Sequence, residues 1–148
     1  MITFDTNILI DAVDKAAGDR HPKTVRLLER ALLRGRCFLT LQSLCEFFNV
    51  ATRKVSMNPQ AAAAHVEDWR AALAVEPAAP VDLAEAMRVT REHGLSFWDA
   101  MLWATARRAG ARTLISEDFR DGRVIEGVRI VDPFVEGNAA LIAAALAG

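Results

Sequence analysis

Tyrosine is missing from this 148-residue chain, and cysteine, histidine and lysine are scarce. Cys37 and Cys45 are too few for a disulfide framework and form no CxxC pair, so both are expected as buried free thiols in a reducing compartment. His21, His65 and His93 show no metal-ligand spacing, which removes the usual sign of a zinc centre. Lys15, Lys23 and Lys54 are the only lysines, and the arginine and alanine richness fits a GC-rich coding bias. A net charge of −1 and a pI near 6.3 give no global cationic signal for nucleic acid, so any such role must rest on local charge. No segment approaches the roughly 18 uncharged apolar residues of a membrane helix. The N-terminus lacks a positive segment, and Asp5 interrupts any signal-peptide core. The expected location is the cytoplasm.

What is present is ample apolar material: 52% hydrophobic residues against 25% charged ones. That balance suits a globular protein, and the length suits one domain over residues 1–148. Ile2–Phe4 reads as a short buried strand, followed by Asp5-Thr6-Asn7 and an apolar run to Val13. Residues 23–34 have helical spacing and end at Gly35, and Arg36–Leu41 reads as a second strand. Ser43 opens a helix with Leu44, Phe47, Phe48, Ala51 and Val55 on one face; Asn58-Pro59 opens another to about Leu73. The stretch from Val75 to Pro80 is the most linker-like of the chain. Helices are expected at about Asp82–His93 and from Ser96 to near Gly110, then strands at Arg112–Ser116 and Val128–Val131. Asn138 is placed to cap a last Ala/Leu helix. Short strands alternating with helices indicate an α/β fold with a mostly parallel sheet, whose functional groups collect at the carboxyl ends of the strands.

Four acids attract attention on that scheme. Asp5 and Asp118 each follow a strand, and Glu46 and Asp99 each fall in the first turn of a helix. Each has an ordinary explanation: a helix cap for Asp5, a Ser43–Glu46 capping box, a polar turn for Asp118. Asp99 is the sole charge from Phe97 to Ala106, in a helix apolar nearly all round, where an ionised carboxylate is costly without a partner. An all-oxygen cluster suits Mg²⁺ or Mn²⁺.

With these residues the chain resembles the PIN-domain ribonucleases, more narrowly the VapC-type toxins of bacterial toxin–antitoxin pairs. The matching pieces are Phe4-Asp5-Thr6-Asn7, Glu46, Trp98-Asp99-Ala100 and Ser116-Glu117-Asp118-Phe119, in order along the whole chain. The resemblance implies a three-layer α/β/α fold, divalent-metal-dependent RNA cleavage, a cognate antitoxin and a homodimer. It assigns the metal and the catalysis to Asp5, Glu46, Asp99 and Asp118. Thr6 or Asn7 matches the polar residue orienting the first aspartate, and Ser116 a small polar position. Glu117 and Asp121 are near enough to share the role of Asp118.

RNA needs local positive charge, for which Arg26, Arg30 and Arg34 recur every four residues and Arg120 adjoins the Asp118 loop. Of the tryptophans, Trp98 and Trp103 are expected in the core. A haloacid-dehalogenase-like phosphohydrolase would need a second acid where Asn7 stands. A DNA nuclease is disfavoured by the small size. A housekeeping RNA-processing PIN nuclease without an antitoxin, or a non-catalytic RNA- or protein-binding module of the same fold, stay as alternatives.

Overall fold

The computed structural model describes residues 1–147. Ile2–Phe4 forms β1, all three side chains buried. Asp5 leaves it in extended backbone and caps α1, Thr6–Val13. A single 3-10 turn, Lys15–Ala17, leads to α2, Arg20–Arg34. Gly35 ends α2 in the left-handed conformation (φ +59°), which costs glycine little. Then come β2 (Leu39–Thr40), α3 (Leu41–Arg53), α4 (Pro59–Ala72), β3 (Val75–Glu76), α5 (Pro80–His93) and α6 (Phe97–Arg108). The chain closes with β4 (Thr113–Ile115), β5 (Val124–Ile125), β6 (Val128–Val131), a 3-10 turn at Glu136–Asn138 and α7 (Ala139–Ala147).

β1 pairs in parallel with β4, and β4 with β6; β5 is antiparallel to β6. β2 and β3 form a parallel pair of their own. A bridge between Ile2 and Cys37 attaches that pair to β1, with the Ile2 N–H donating to the Arg36 carbonyl at 2.9 Å. The strands therefore lie in the order β3-β2-β1-β4-β6-β5. Connections leave β1 toward one side and β4 toward the other. That reversal opens a crevice at the carboxyl ends of β1 and β4.

Alternation along the strands builds the two apolar layers. Ile2, Phe4, Leu39, Ile115 and Val131 face one cluster with residues of α1, α2, α3 and α7. Leu114, Val128 and Ile130 face the other, against α5 and α6, where Trp103 is fully buried. This is the expected three-layer arrangement with a mostly parallel sheet.

Several local expectations are corrected. Arg36–Leu41 is a strand only at Leu39–Thr40, because α3 starts at Leu41. Its cap is Thr40, whose Oγ1 accepts from the Ser43 N–H at 3.1 Å, so Ser43 and Glu46 form no capping box. The linker-like stretch contains β3, and β5 lies where no strand was expected. The β5–β6 hairpin turns through Glu126 and Gly127, both with positive φ (+44° and +87°), as a two-residue primed turn requires. Asn138 does not cap α7 through its carbonyl oxygen. Its amide nitrogen donates to Asp121 Oδ1 and the Asp132 carbonyl instead. Cys45 and Phe48 are exposed on the outer face of α3, whereas Cys37 is buried. Trp98 is 63% exposed, because the first turn of α6 stands clear of the layer that buries Ala100 to Ala106. No helix among the described residues is long and apolar enough to cross a membrane.

Candidate active site

Asp5 is the best-held carboxylate of the crevice. It sits where β1 ends, its own N–H bonded to the Ile115 carbonyl of β4 at 2.9 Å. Its Oδ1 accepts from the Thr6 N–H at 2.7 Å; its Oδ2 accepts from the Ser116 hydroxyl at 2.6 Å and from Asn7 Nδ2 at 3.3 Å. Both oxygens are thus oriented, and the residue is 6% exposed. Burial pushes its pKa up to about 6, against the two hydrogen bonds from Ser116 and Thr6; the charges of Asp118 and Asp99 push it further in the same direction. The ordinary explanation and the chemical one hold together here: Asp5 caps α1 and still points into the crevice.

Glu46 lies one turn into α3. Its Oε2 accepts from the Thr6 hydroxyl at 3.1 Å and its Oε1 from Gln42 Nε2 at 2.8 Å. Thr6 therefore serves two acids, Asp5 through its amide and Glu46 through its hydroxyl. Asn7 and Ser116 serve Asp5, and the Ser116 hydroxyl also accepts from the Asp118 N–H at 3.1 Å. Gln42 gives a further bond to the Trp98 carbonyl at 2.9 Å, tying α3 to the start of α6 beside Asp99. Sequence reasoning passed over Gln42, although its position one turn before Glu46 is the spacing at which helical side chains meet.

Asp5, Thr6, Asn7, Glu46, Asp99 and Asp118 line one cleft of about 290 Å³. Asp99 is half-buried rather than enclosed, and Asp118 is exposed, so the deep acid of the set is Asp5. Asp11 and Glu117 also line the cleft. Asp11 is 8% exposed and its Oδ2 has no hydrogen-bond partner. Burial raises the Asp11 and Glu117 carboxyls above their usual range, and the Arg20 charge acts against both shifts. Lys54 is the sole basic side chain of the lining. Asp121 is outside it: its Oδ1 accepts from the Asp132 N–H and Asn138 Nδ2, a clamp on the loop after β6.

The arginines singled out from the sequence do not line the cleft. Arg26, Arg30 and Arg34 are exposed along α2, which runs from the crevice toward the amino ends of the strands, where Arg36 meets Ile2. Arg120 lines a separate groove with Asp121, Gly122 and Arg123. Arg20, at the start of α2, is instead bonded to Glu117.

The donor set fits a divalent cation. All candidate ligands are carboxylate oxygens, the negative charge far exceeds that of Lys54, and Asp11 presents an unpartnered oxygen. No three of these acids bring ligand oxygens within 4.8 Å of one another. Glu92, His93 and Glu126 do approach that closely, away from the cleft, but Arg88 already bonds both carboxylates, at 2.6 and 2.7 Å.

A family model described as PIN domain matches residues 2–125. The chain belongs to the PIN-domain family. Solved structures share the fold. DNA-bound VapBC from Salmonella typhimurium aligns with a TM-score of 0.66 at 20% identity, covering 89% of this chain and 97% of that one. A toxin–antitoxin complex from Klebsiella pneumoniae aligns at 0.63 and 23% identity, covering 90% and 98%. VapC20 of Mycobacterium tuberculosis, a sarcin–ricin-loop-cleaving toxin, aligns at 0.63 and 20% identity, covering 77% and 87%. No curated relative matches by sequence. At these identities the structures establish the shared fold alone, and the chemistry rests on the cleft of this PIN domain itself.

Proposed function

We propose that this PIN domain is a Mg²⁺- or Mn²⁺-dependent endoribonuclease, the toxin of a bacterial toxin–antitoxin pair, and that residues 1–148 act as one nuclease unit in the cytoplasm. The observation that carries the reading is Asp5: a buried carboxylate with both oxygens oriented, at a strand-order reversal, facing a cleft shared with Glu46, Asp99 and Asp118. The family membership supports the reaction class, and the toxin–antitoxin complexes of the same fold support an antitoxin partner.

Asp5 and Asp99 are read as the principal ligands, with Glu46 and Asp118 binding directly or through water. A divalent ion bound there would polarise the scissile phosphate and lower the pKa of a water for in-line attack. The chain's own work is to hold the acids in place. Ser116 and Asn7 fix the outer oxygen of Asp5, Thr6 spans Asp5 and Glu46, and Gln42 fixes the other oxygen of Glu46. Without a cation the same cleft repels RNA. The reading includes self-association, supported by the apolar side chains that Leu41, Phe48 and Trp98 expose on α3 and α6. A monomer in sedimentation at micromolar concentration would remove that part.

The test is cleavage of total cellular RNA by purified protein with Mg²⁺ or Mn²⁺, beside EDTA and a folded Asp99→Asn variant. Metal-dependent cleavage lost in the variant supports the assignment. Cleavage by the variant at the wild-type rate would move the chemistry elsewhere. An adjacent small reading frame encoding a DNA-binding protein would separate a toxin from a housekeeping nuclease.

A further inference from the structure

The cleft is strongly acidic, yet an RNA strand brings more than the phosphate that is cut. The flanking phosphates need cations of the chain itself. Several arginines outside α2 are committed elsewhere. Arg88 bonds Glu85, Glu92 and Glu126; Arg108 bonds Asp82; Arg123 donates to the His93 carbonyl. Arg34 lies about 21 Å along α2 from the helix start, at about 1.5 Å per residue, too far to serve the cleft. Among the described residues, Arg20 is the arginine bonded to a side chain of the cleft.

Its setting is specific. Nη1 is bonded to Glu117, and the guanidinium carbon lies 4.7 Å from the centre of the Phe134 ring. One corner and one face of the planar group are therefore held. Nε and Nη2 have no side-chain partner, and the Arg20 side chain is 50% exposed against 21% for Glu117. A guanidinium pinned in this way, with an open edge, is preorganised for the two-pronged hydrogen bonding that phosphate oxygens accept. We propose that Arg20 is a phosphate-binding residue of the nuclease, held at the rim of the cleft by Glu117 and Phe134 to receive a backbone phosphate flanking the scissile one. The proposal rests on the nuclease reading above. It adds a cation, on an element outside the acidic set, that orients the strand.

The experiment is fluorescence-anisotropy binding of a labelled mixed-sequence twelve-nucleotide RNA. Ca²⁺ replaces Mg²⁺ to hold cleavage back, and salt is varied from 50 to 200 mM. Arg20→Gln should weaken binding about five- to tenfold at the lower salt and reduce the log–log salt slope by about 0.7, the value of one single-strand phosphate contact. Arg20→Lys should keep the slope and lose about threefold in affinity, because the charge stays and the planar fork goes. Arg91→Gln, exposed on α5 and outside the cleft lining, should leave both quantities unchanged. A folded Arg20→Gln protein with the wild-type slope overturns the proposal, since a purely structural ion pair with Glu117 would give that result. Wild-type protein that neither binds nor cleaves RNA overturns the nuclease reading and this proposal together. Wild-type cleavage with an unaltered Arg20→Gln slope overturns this proposal alone.

Discussion

The hydroxyl of Ser116 donates to Oδ2 of Asp5 at 2.6 Å, joining the carboxyl ends of β4 and β1 through one side-chain bond. The same oxygen accepts from the Asp118 N–H, so a residue with no exposed surface coordinates two acids of the cleft. Ser116→Ala would leave Asp5 with Thr6 and Asn7 as donors. It should destabilise the fold by about 1–2 kcal/mol at pH 8, the cost of a bond lost to a buried charged group. The loss should shrink at pH 5, where Asp5 is protonated. Thermal unfolding of both proteins at the two pH values checks this, and equal losses would show that the hydroxyl does not act on the ionised carboxylate.

Asp5 itself sets a pH dependence whose sign runs opposite to that of a salt-bridged acid. Its folded-state pKa is about 6, above the ordinary value of 3.8. Between about pH 4 and 6 the folded state holds the proton that the unfolded chain releases, so stability falls as pH rises through that window. The full effect is about 3 kcal/mol above pH 6. Asp5→Asn should therefore flatten the decline and be the more stable protein at pH 8 in EDTA. Mg²⁺ should stabilise the wild type more at pH 7.5 than at pH 5, because binding favours the ionised form. A wild-type profile in EDTA that rises from pH 4 to 7 would contradict the assignment.

Thr6 and Gln42 hold Glu46 from two sides, the hydroxyl on Oε2 and the amide on Oε1. Thr6→Val keeps the shape and removes the hydroxyl; Gln42→Ala removes the amide and also frees the Trp98 carbonyl. Each should lower the cleavage rate about tenfold, in line with loss of a ligand-orienting partner at a metal site. The double variant should lose less than the product, because both act through one carboxylate. Rates measured at saturating Mg²⁺ decide it, and a wild-type rate in both single variants would take Glu46 out of the reaction.

The placements of Asp5, Asp118 and Asp99 were legible because a strand end and a helix first turn are local signals, and α/β topology says where such ends meet; Glu46, expected in a first turn, lies a turn further in because α3 starts at Leu41. The depth of each acid was not. Asp99 looked buried from its apolar helix, yet α6 is enclosed only from Ala100 onward and Trp98 stands in the open. Asp5, expected as a metal ligand with a helix cap as its ordinary alternative, is the buried one, and one of its hydrogen bonds comes from Ser116, 111 residues away. The basic stripe of α2 has clear period, but period does not tell which end of a helix faces the crevice. That end carries Arg20, outside the stripe. β2 and β3 escaped notice as a pair because two-residue strands carry too little alternation to register.

Asp118 and Asp121 separate the two ends of one loop by role. Asp118 lines the cleft and its side chain is free of protein donors, as a metal ligand would be; Asp121 spends its Oδ1 on the Asp132 N–H and on Asn138 Nδ2. Asp118→Asn should weaken Mg²⁺ binding and cleavage while leaving the melting temperature in EDTA unchanged or slightly higher, since a repelling charge is removed beside Asp5. Asp121→Ala should do the reverse. Cleavage by the folded protein should persist, and stability should fall by about 1 kcal/mol, because the Asp132 N–H and one amide hydrogen of Asn138 lose their shared acceptor. Calorimetric Mg²⁺ titration and unfolding of the two variants side by side make the comparison. If Asp121→Ala abolished Mg²⁺ binding in a folded protein, the metal site would have to extend to Asp121.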